Sequence, residues 1–592
     1  MKSLWTIPLL LLIALSTGAW FRHAAPYPAI NIYISSSTGN DSNPCTSGSP
    51  CQTLTKAMTF LYGKGSTLNL LAGDTFNESA NTVVFEGPNT GIANTFGTLT
   101  IQPYGGGTCN PIAGTITGCA TIQMVAPATR GMQFISTNNV TVNGIRVLGG
   151  AGFLGSHEGT YGIYYDNTVG GNQNFTVENC EVQDLSLLIY INLAGGSFTG
   201  WNVEDCYLHG SSSTANVDQG LLTQGTIQNG LVQGNYVTNI GGLTGSPAGT
   251  SGNGMLFSNG GQTATFQFNV ATNSGVNITS CGGPVGIYDF SAHGWTAQFN
   301  EVYGMGQTTR AVGECDQDGM DIDGGSTNDT MQYNYSHDNL GGQFITYVQG
   351  TWNTNTIRYN IAEVNHTTQT NVGSAFTFGG FDRIGAGGGA TDLLSAVYGN
   401  SYATNVDYNI TGQIDGECFV AFANYNVVFA NNVCYNTGAT GAGVLAEYYN
   451  STSGVPYYTP MEWQANHNDY YWTHNSAGNF KFTGTLYTSL ASFRLATNQE
   501  ANSIQVAPGF SGTVPTGGTP CWAGAVIPTG PQPCPSAYNL AHGSALIGAG
   551  VNLHATYPTD ITVNPTRDYF GNAVPNAGAG TGWNMGADGA NH

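Results

Sequence analysis

Positive charge is the scarcest thing in this sequence: 592 residues carry 12 Lys and Arg against 34 Asp and Glu, a formal net charge of −22. A surface of that sign repels phosphate backbones and offers no basic face, which argues against nucleic acid as a partner. Charged residues of either sign make up only 8% of the chain, so solubility rests also on Asn, Thr, Ser and Tyr. Long apolar runs are missing too. The run from Trp5 to Ala14 is too short to span a bilayer, and no later segment is long and apolar enough. With no Cys-x-x-Cys and no Cys/His cluster at zinc spacing, the 12 cysteines give no sign of a metal role.

What the chain does carry begins with Lys2, that apolar run and a small-residue exit at Ser16-Thr17-Gly18-Ala19, the pattern of a secretory signal peptide, assigned to 1–24. Export, to the extracellular space or a periplasm, suits the even number of cysteines. Cys45/Cys51, Cys109/Cys119, Cys418/Cys434 and Cys521/Cys534 would close short loops, and Cys281 and Cys315 sit about one repeat apart. Cys180 and Cys206 share a register in adjacent repeats, as a bond or as stacked small core residues.

The repeats are the main signal. Apolar strands such as FTVENCEV (175–182), TAQFNEVY (296–303), TIRYNIAE (356–363) and EWQANHND (462–469) recur about ten times, each with one small or amide residue. Those residues fall at 144, 179, 205, 235, 269, 300, 334, 360, 400, 432 and 466, a mean spacing near 32, which signals stacked repeats. The strands alternate every second residue and are rich in Val, Tyr, Phe and Thr, which is strand rather than helix chemistry. Asn at the turn tolerates left-handed backbone and can bond its equivalents above and below, favouring parallel coils in register.

In these features the chain resembles the right-handed parallel β-helix proteins of the pectate-lyase-like superfamily. The opening IYISSSTGNDSNPCTSGSPCQTLTKAM (32–58) is similar to the start of secreted members, and SALIGAG (544–550), RDYFGNAVP (567–575) and GADGA (586–590) are similar to their close. The resemblance implies an all-β, single-stranded solenoid with an N-terminal capping helix at Leu54–Leu61 and a C-terminal cap. The expected organisation is 25–128 for the N-terminal cap and first coils, 129–470 for the β-helix and 471–592 for the last coils and cap. It does not fix a reaction, because this architecture serves lyases, hydrolases, epimerases, adhesins and phage spikes.

A second, glycine-led strand recurs as YGIYYD (161–166), QGLLTQ (219–224), NGMLFS (253–258), VGIYDF (285–290) and DGMDID (318–323). Alternation turns Ile163, Leu221, Met255, Ile287 and Met320 inward and Tyr164, Leu222, Leu256, Tyr288 and Asp321 outward. One coil departs from its neighbours: Glu314 to Asp323 holds five carboxylates, at Glu314, Asp316, Asp318, Asp321 and Asp323. Asp321 and Asp323, two apart on a strand, are separated by about 7 Å on one side. Carboxyls at roughly 6.5–9.5 Å suit an inverting glycosidase, in which one protonates the leaving oxygen and the other activates water. Crowding raises the pKa of at least one, so Asp318, Asp321 and Asp323 are the expected catalytic set.

Asp316 and Asp318 are also candidates to hold calcium, the one cofactor the sequence suggests. Tyr288, Asp289, His293, His337, Arg358 and Arg383 are expected to bind substrate, a polysaccharide. Tyr and Trp, 31 and 9 in number, supply platforms and hydroxyls for sugars. Lysines beyond the leader are limited to Lys56, Lys64 and Lys481, outside the repeats, so a lysine-based lyase is disfavoured against a hydrolase. An arginine-based, calcium-assisted lyase remains a second reading and a non-catalytic carbohydrate-binding or adhesin-like scaffold a third. Polygalacturonase-type motifs are only partly echoed: Ala292-His293-Gly294 precedes the acids instead of following them.

Overall fold

The computed structural model describes residues 28–589 apart from 64, 87–96, 151–158, 168–170, 244–250, 259, 279–283, 307–316, 348–353, 365–375, 380–399, 404–405, 410–418, 423–426, 439–443, 450–462, 483, 515–519, 522–533, 559–560, 562–564 and 576–581. Each coil contributes three strands, and equivalent strands stack into three faces. The first face contains Arg130–Ile135, Tyr161–Asp166, Asn253–Ser258, Val285–Phe290 and Asp318–Ile322. The second contains Asn172–Glu178, Gln262–Gln267, His293–Gln298, Thr330–Gln332 and Thr356–Arg358. In two coils the strands Leu187–Glu204 and Gln219–Gln233 run through the corner from first face to second. The third face is a 13-stranded sheet that includes Glu181–Gln183, Tyr207–His209, Tyr236–Thr238, Val270–Thr272, Glu301–Tyr303, Tyr335–His337 and Ile361–Val364.

Coil-to-coil pairing is parallel, and the antiparallel turn of Phe480–Phe482 onto Thr485–Tyr487 ends the stack. The protein is an all-β parallel β-helix. Ile163, Leu221, Met255, Ile287 and Met320 point into it and are fully buried, as the alternation requires.

The corner between second and third faces holds the expected amide ladder. Asn235, Asn269, Asn300 and Asn334 each donate a side-chain bond to the next amide, ending on Asn360, at 2.9–3.0 Å, and Asn432 donates to Asn468 at 3.1 Å. Each bond contributes about 0.5–1.5 kcal/mol. Beyond Asn360 the ladder leaves the aligned positions, since Asn400 pairs with Val427 within the second face and Asn468, not Asn466, is the ladder residue. Two further details differ from the sequence alignment. In the early coils the ladder position is Cys180 and Cys206, not 179 and 205, because Tyr207 pairs with Tyr236. Both are free thiols, bonding Val142 and Val177 carbonyls at 3.6 Å much as Asn235 bonds Val203.

Second, the left-handed residue is the one before the ladder, and in four coils it is aromatic: Phe268, Phe299, Tyr333 and Tyr359, with φ between 51 and 58°. That conformation costs about 1–2 kcal/mol for a residue with a Cβ. Stacking at 5.2, 5.0 and 5.8 Å offsets it. So does burial beneath the C-terminal segment, whose Tyr538, Leu540, Leu553, Tyr569 and Trp583 form one apolar cluster with these rings.

The stack is closed at both ends, as exposed edges require. At the N-terminal end the helix is Leu54–Ala57, shorter than the expected Leu54–Leu61, with Thr53 as its cap and Leu61 exposed. At the other end the helix Leu490–Thr497, capped by Ser489, packs on Phe480 through Phe493. Ile504 adds a last parallel bridge to the third face at Asp469, and from about Phe510 the chain returns along the flank, packed against the corner rings. Disulfides join Cys45–Cys51, Cys109–Cys119 and Cys521–Cys534. Cys418, Cys281 and Cys315 lie outside the described residues, as do residues 1–24, where the signal peptide is expected. Among the described residues no helix is long and apolar enough to cross a membrane.

Candidate functional site

Glycine sets the geometry of the first face. A Cβ on Gly286 would come within 2.2 Å of Val302 and one on Gly319 within 2.0 Å of the Ser336 hydroxyl, so both positions face inward against the third face. Ile287 and Met320 follow and are also inward, so alternation slips by one and the residue before each glycine returns to the outer surface. Val285 accordingly packs with Leu256 and Tyr288 in an outer apolar cluster. Asp318 stands in register with Val285 and Asp321 with Tyr288, which puts both acids on that same outer face.

Around them the packing is close. Asp321 is 6% exposed, with Tyr288 and Ile345, each 7% exposed, on its two sides in the stack. Asp318 is 2% exposed, and its Oδ1 accepts the Gly342 N–H at 2.5 Å. Asp323 is half-buried at the end of the strand, its Oδ1 accepting the Gly324 N–H at 2.6 Å. Asp316 and Arg383 lie outside the described residues. Among the described residues no group of three or more His, Cys, Asp or Glu is set to hold a metal ion, so any calcium at Asp318 would need ligands from elsewhere.

The other candidates are dispersed. Asp289 is turned inward, fully buried between Phe257 and Ile322 and away from the outer face. His293 is exposed on the second face, its Nδ1 2.6 Å from the Thr327 hydroxyl. Arg358, also on the second face, donates Nε–H to Gln332 at 2.9 Å. It ends an amide chain in which Gln332, Gln298 and Gln267 each donate to the preceding glutamine, down to Gln233, at 2.6–3.0 Å. His337 is on the third face with no exposed side-chain surface. Of the expected binding residues that are described, Tyr288 shares the outer face of the strand with Asp318 and Asp321, while Asp289 meets Asp323 through its backbone, its carbonyl accepting the Asp323 N–H at 3.0 Å.

Two arrangements were not singled out in the sequence. Inside the coil, Asp289 lies beside Asp329, whose Oδ1 accepts the Trp295 N–H at 2.6 Å. Burial pushes Asp329 up to about 8, and burial together with the Asp329 charge pushes Asp289 well above the usual carboxylate range. Asp329 occupies a second corner ladder, its N–H donating to Asn355 at 2.9 Å, and that corner lacks the regular Asn repeat that marks the first.

On the third face, His337 bridges Glu301 at 3.0 Å and Asp338 at 2.9 Å and is stacked between Tyr303 and Tyr335. Burial would hold the imidazole down, but the Asp338 and Glu301 carboxylates outweigh it and push His337 up to about 9. The C-terminal segment seals this cluster, the Cys521 N–H donating to Glu301 at 2.7 Å and the Tyr538 hydroxyl to Glu363 at 2.6 Å. Glu181 repeats the motif nearer the N-terminus with Arg146 at 2.6 Å and His209 at 3.2 Å. The signal was positional: Glu181 and Glu301 come one residue after the ladder, and His209 and His337 three residues after it in the following coil.

The sequence matches no protein-family model and no curated protein. Solved structures of similar shape include a GH136 lacto-N-biosidase from Eubacterium ramulus, at 16% identity and TM-score 0.42, covering 66% of this chain and 64% of that one. The Dettilon tailspike protein matches at 14% identity and TM-score 0.42, over 70% and 68% of the two chains. Pectate lyase Pel9A matches at 13% identity and TM-score 0.39, over 95% and 98%. The chain thus spans just under two thirds of the lacto-N-biosidase. Likenesses this distant say nothing of what the present chain acts on.

Proposed function

We propose that the protein is an exported carbohydrate-active enzyme that hydrolyses glycosidic bonds on the first face, with Asp318, Asp321 and Asp323 as its acid–base set. The observation that carries this reading is one coil placing Asp318 and Asp321 on the same outer face, where the preceding coil has Val285 and Tyr288. Asp321 and Asp323 are about 7 Å apart along the strand, room for a water between carboxylate and anomeric carbon. In this role one acid donates a proton to the leaving oxygen while another activates the attacking water. For arginine-based elimination Arg358 is bound to Gln332 on another face, which leaves Arg383 as the base that reading needs. Three disulfides suit an oxidising compartment.

The test is a product assay on a polysaccharide panel with wild type, Asp321→Asn and Asp323→Asn. New reducing ends without ultraviolet absorbance mean hydrolysis, and unsaturated products mean elimination. Each amide variant should lose at least about a hundredfold in turnover with an unchanged melting curve. Full activity in both variants would remove these acids from the mechanism, and silence across the panel would favour a binding scaffold.

A further inference from the structure

Tyr161, Tyr164 and Tyr190 form a compact group on the first face, N-terminal to the acids. Their rings lie 4.8 Å (Tyr161–Tyr164), 5.2 Å (Tyr164–Tyr190) and 5.7 Å (Tyr161–Tyr190) apart, within 16–24° of parallel. The polar rim is neutral or acidic. The Tyr190 hydroxyl donates to Gln224 at 2.8 Å, Asn192 Nδ2 reaches the Tyr164 hydroxyl at 3.5 Å, and Asp166 adjoins Tyr164. Arg130 stacks on the Tyr164 ring at 5.5 Å and donates to Gln133 at 2.7 Å, which engages its charge within the protein.

The group is in register with the acid coil: Tyr164, Tyr190, Leu222, Leu256, Tyr288 and Asp321 are successive partners up one column. Four coils separate Tyr190 from Asp321, about 19 Å at ~4.8 Å per coil. Between them Leu222 and Leu256 keep the strip apolar. A straight strip with hydroxyls, amides and rings at one end, aliphatic surface in the middle and carboxylates at the other matches an extended sugar chain, whose rings have apolar faces and hydroxyl edges. Its charge selects among such chains. Asp166, Asp318, Asp321 and Asp323, within a protein of net charge −22, repel a polyuronate.

We infer that Tyr161, Tyr164 and Tyr190, with Asn192 and Gln224, form a distal subsite for a neutral polysaccharide chain laid along the first face toward Asp321. The inference rests on the reading of this face as carbohydrate-active, and binding separates the two. Affinity electrophoresis is run with xyloglucan, arabinoxylan, galactomannan and laminarin against polygalacturonate, using the Asp321→Asn protein so that turnover does not interfere.

At least one neutral polymer should retard this protein, and Tyr164→Ala/Tyr190→Ala in the same background should weaken that binding about tenfold or more. Tyr164→Phe/Tyr190→Phe with Asn192→Ala keeps the rings in place and should still weaken binding measurably, which covers failure of the alanine variant to fold. Retardation by polygalacturonate alone, by no polymer, or equally in folded tyrosine variants would overturn the inference. Binding that follows these expectations while wild type cleaves nothing would sink the enzyme reading and leave this subsite standing.

Discussion

A single coil, residues 318 to 337, shows two acidic environments back to back. On its first face Asp321, nearly buried, stands between Tyr288 and Ile345 on the outward side of the strand. On its third face His337 meets Glu301 from the coil before, Tyr303 and Tyr335 stack on it, and the C-terminal segment closes over the whole. The same residue types serve opposite ends. Where a histidine is held by two carboxylates and sealed from water, the charges are bound to each other and hold the fold. Where acids lie on the outward side of a strand among apolar and phenolic side chains, the role proposed for them is chemical rather than structural.

The largest effect that would break this contrast is loss of the sealed histidine. His337→Ala leaves Glu301 buried without its imidazolium and should destabilise the protein by about 3–5 kcal/mol in denaturant unfolding, against under about 1 kcal/mol for Asp321→Asn. Equal effects from the two variants would erase the distinction between faces.

Next comes pH. His337 is raised to about 9, so its contribution is fully present below the ordinary histidine value near 6.5 and is lost as pH climbs through about 9. Melting temperature followed from pH 6 to 10 should fall over that upper range in wild type and less in His337→Gln.

The interior pair Asp289 and Asp329 titrates with the same sign. Carboxyls raised in the fold stabilise most at low pH, and that stabilisation declines as pH rises from about 4 to about 8. Asp289→Asn should therefore gain about 1–3 kcal/mol at pH 8 and little at pH 5. A loss at pH 8 would mean that the pair is held together by more than a shared proton.

The smallest expected effect sharpens the account of the corner. Cys206→Asn supplies the amide the ladder uses from Asn235 onward, and should add about 0.5–1.5 kcal/mol, read as a small rise in denaturant midpoint.

The repeat period, strand chemistry and inward–outward assignment of the first face were legible because burial imposes strict periodicity along each strand. The Asn ladder was legible for the same reason from Asn235 to Asn360. What escaped was set by contacts across sequence. Nothing local distinguishes Cys206 from Asp205 as the ladder residue, since the register of Tyr207 on Tyr236 decides it. Nothing near His337 announces that Tyr538 and Cys521 will cover its neighbours Glu363 and Glu301. Asp289 is a ligand candidate in the sequence because it lies one coil before the acid cluster. Its inward place followed from the same alternation that turned Tyr288 outward.

The returning C-terminal segment also changes how the molecule can come apart. A solenoid whose coils touch only their neighbours can unravel piecemeal from either end. Here one strip of chain crosses several coils at once, bonding Glu301 through Cys521, Tyr333 through Arg567, Glu363 through Tyr538 and Asn431 through Val551 and Gly586. Coils that would otherwise open one by one share a common brace, so the acid-bearing half of the stack opens as a single cooperative unit or stays shut.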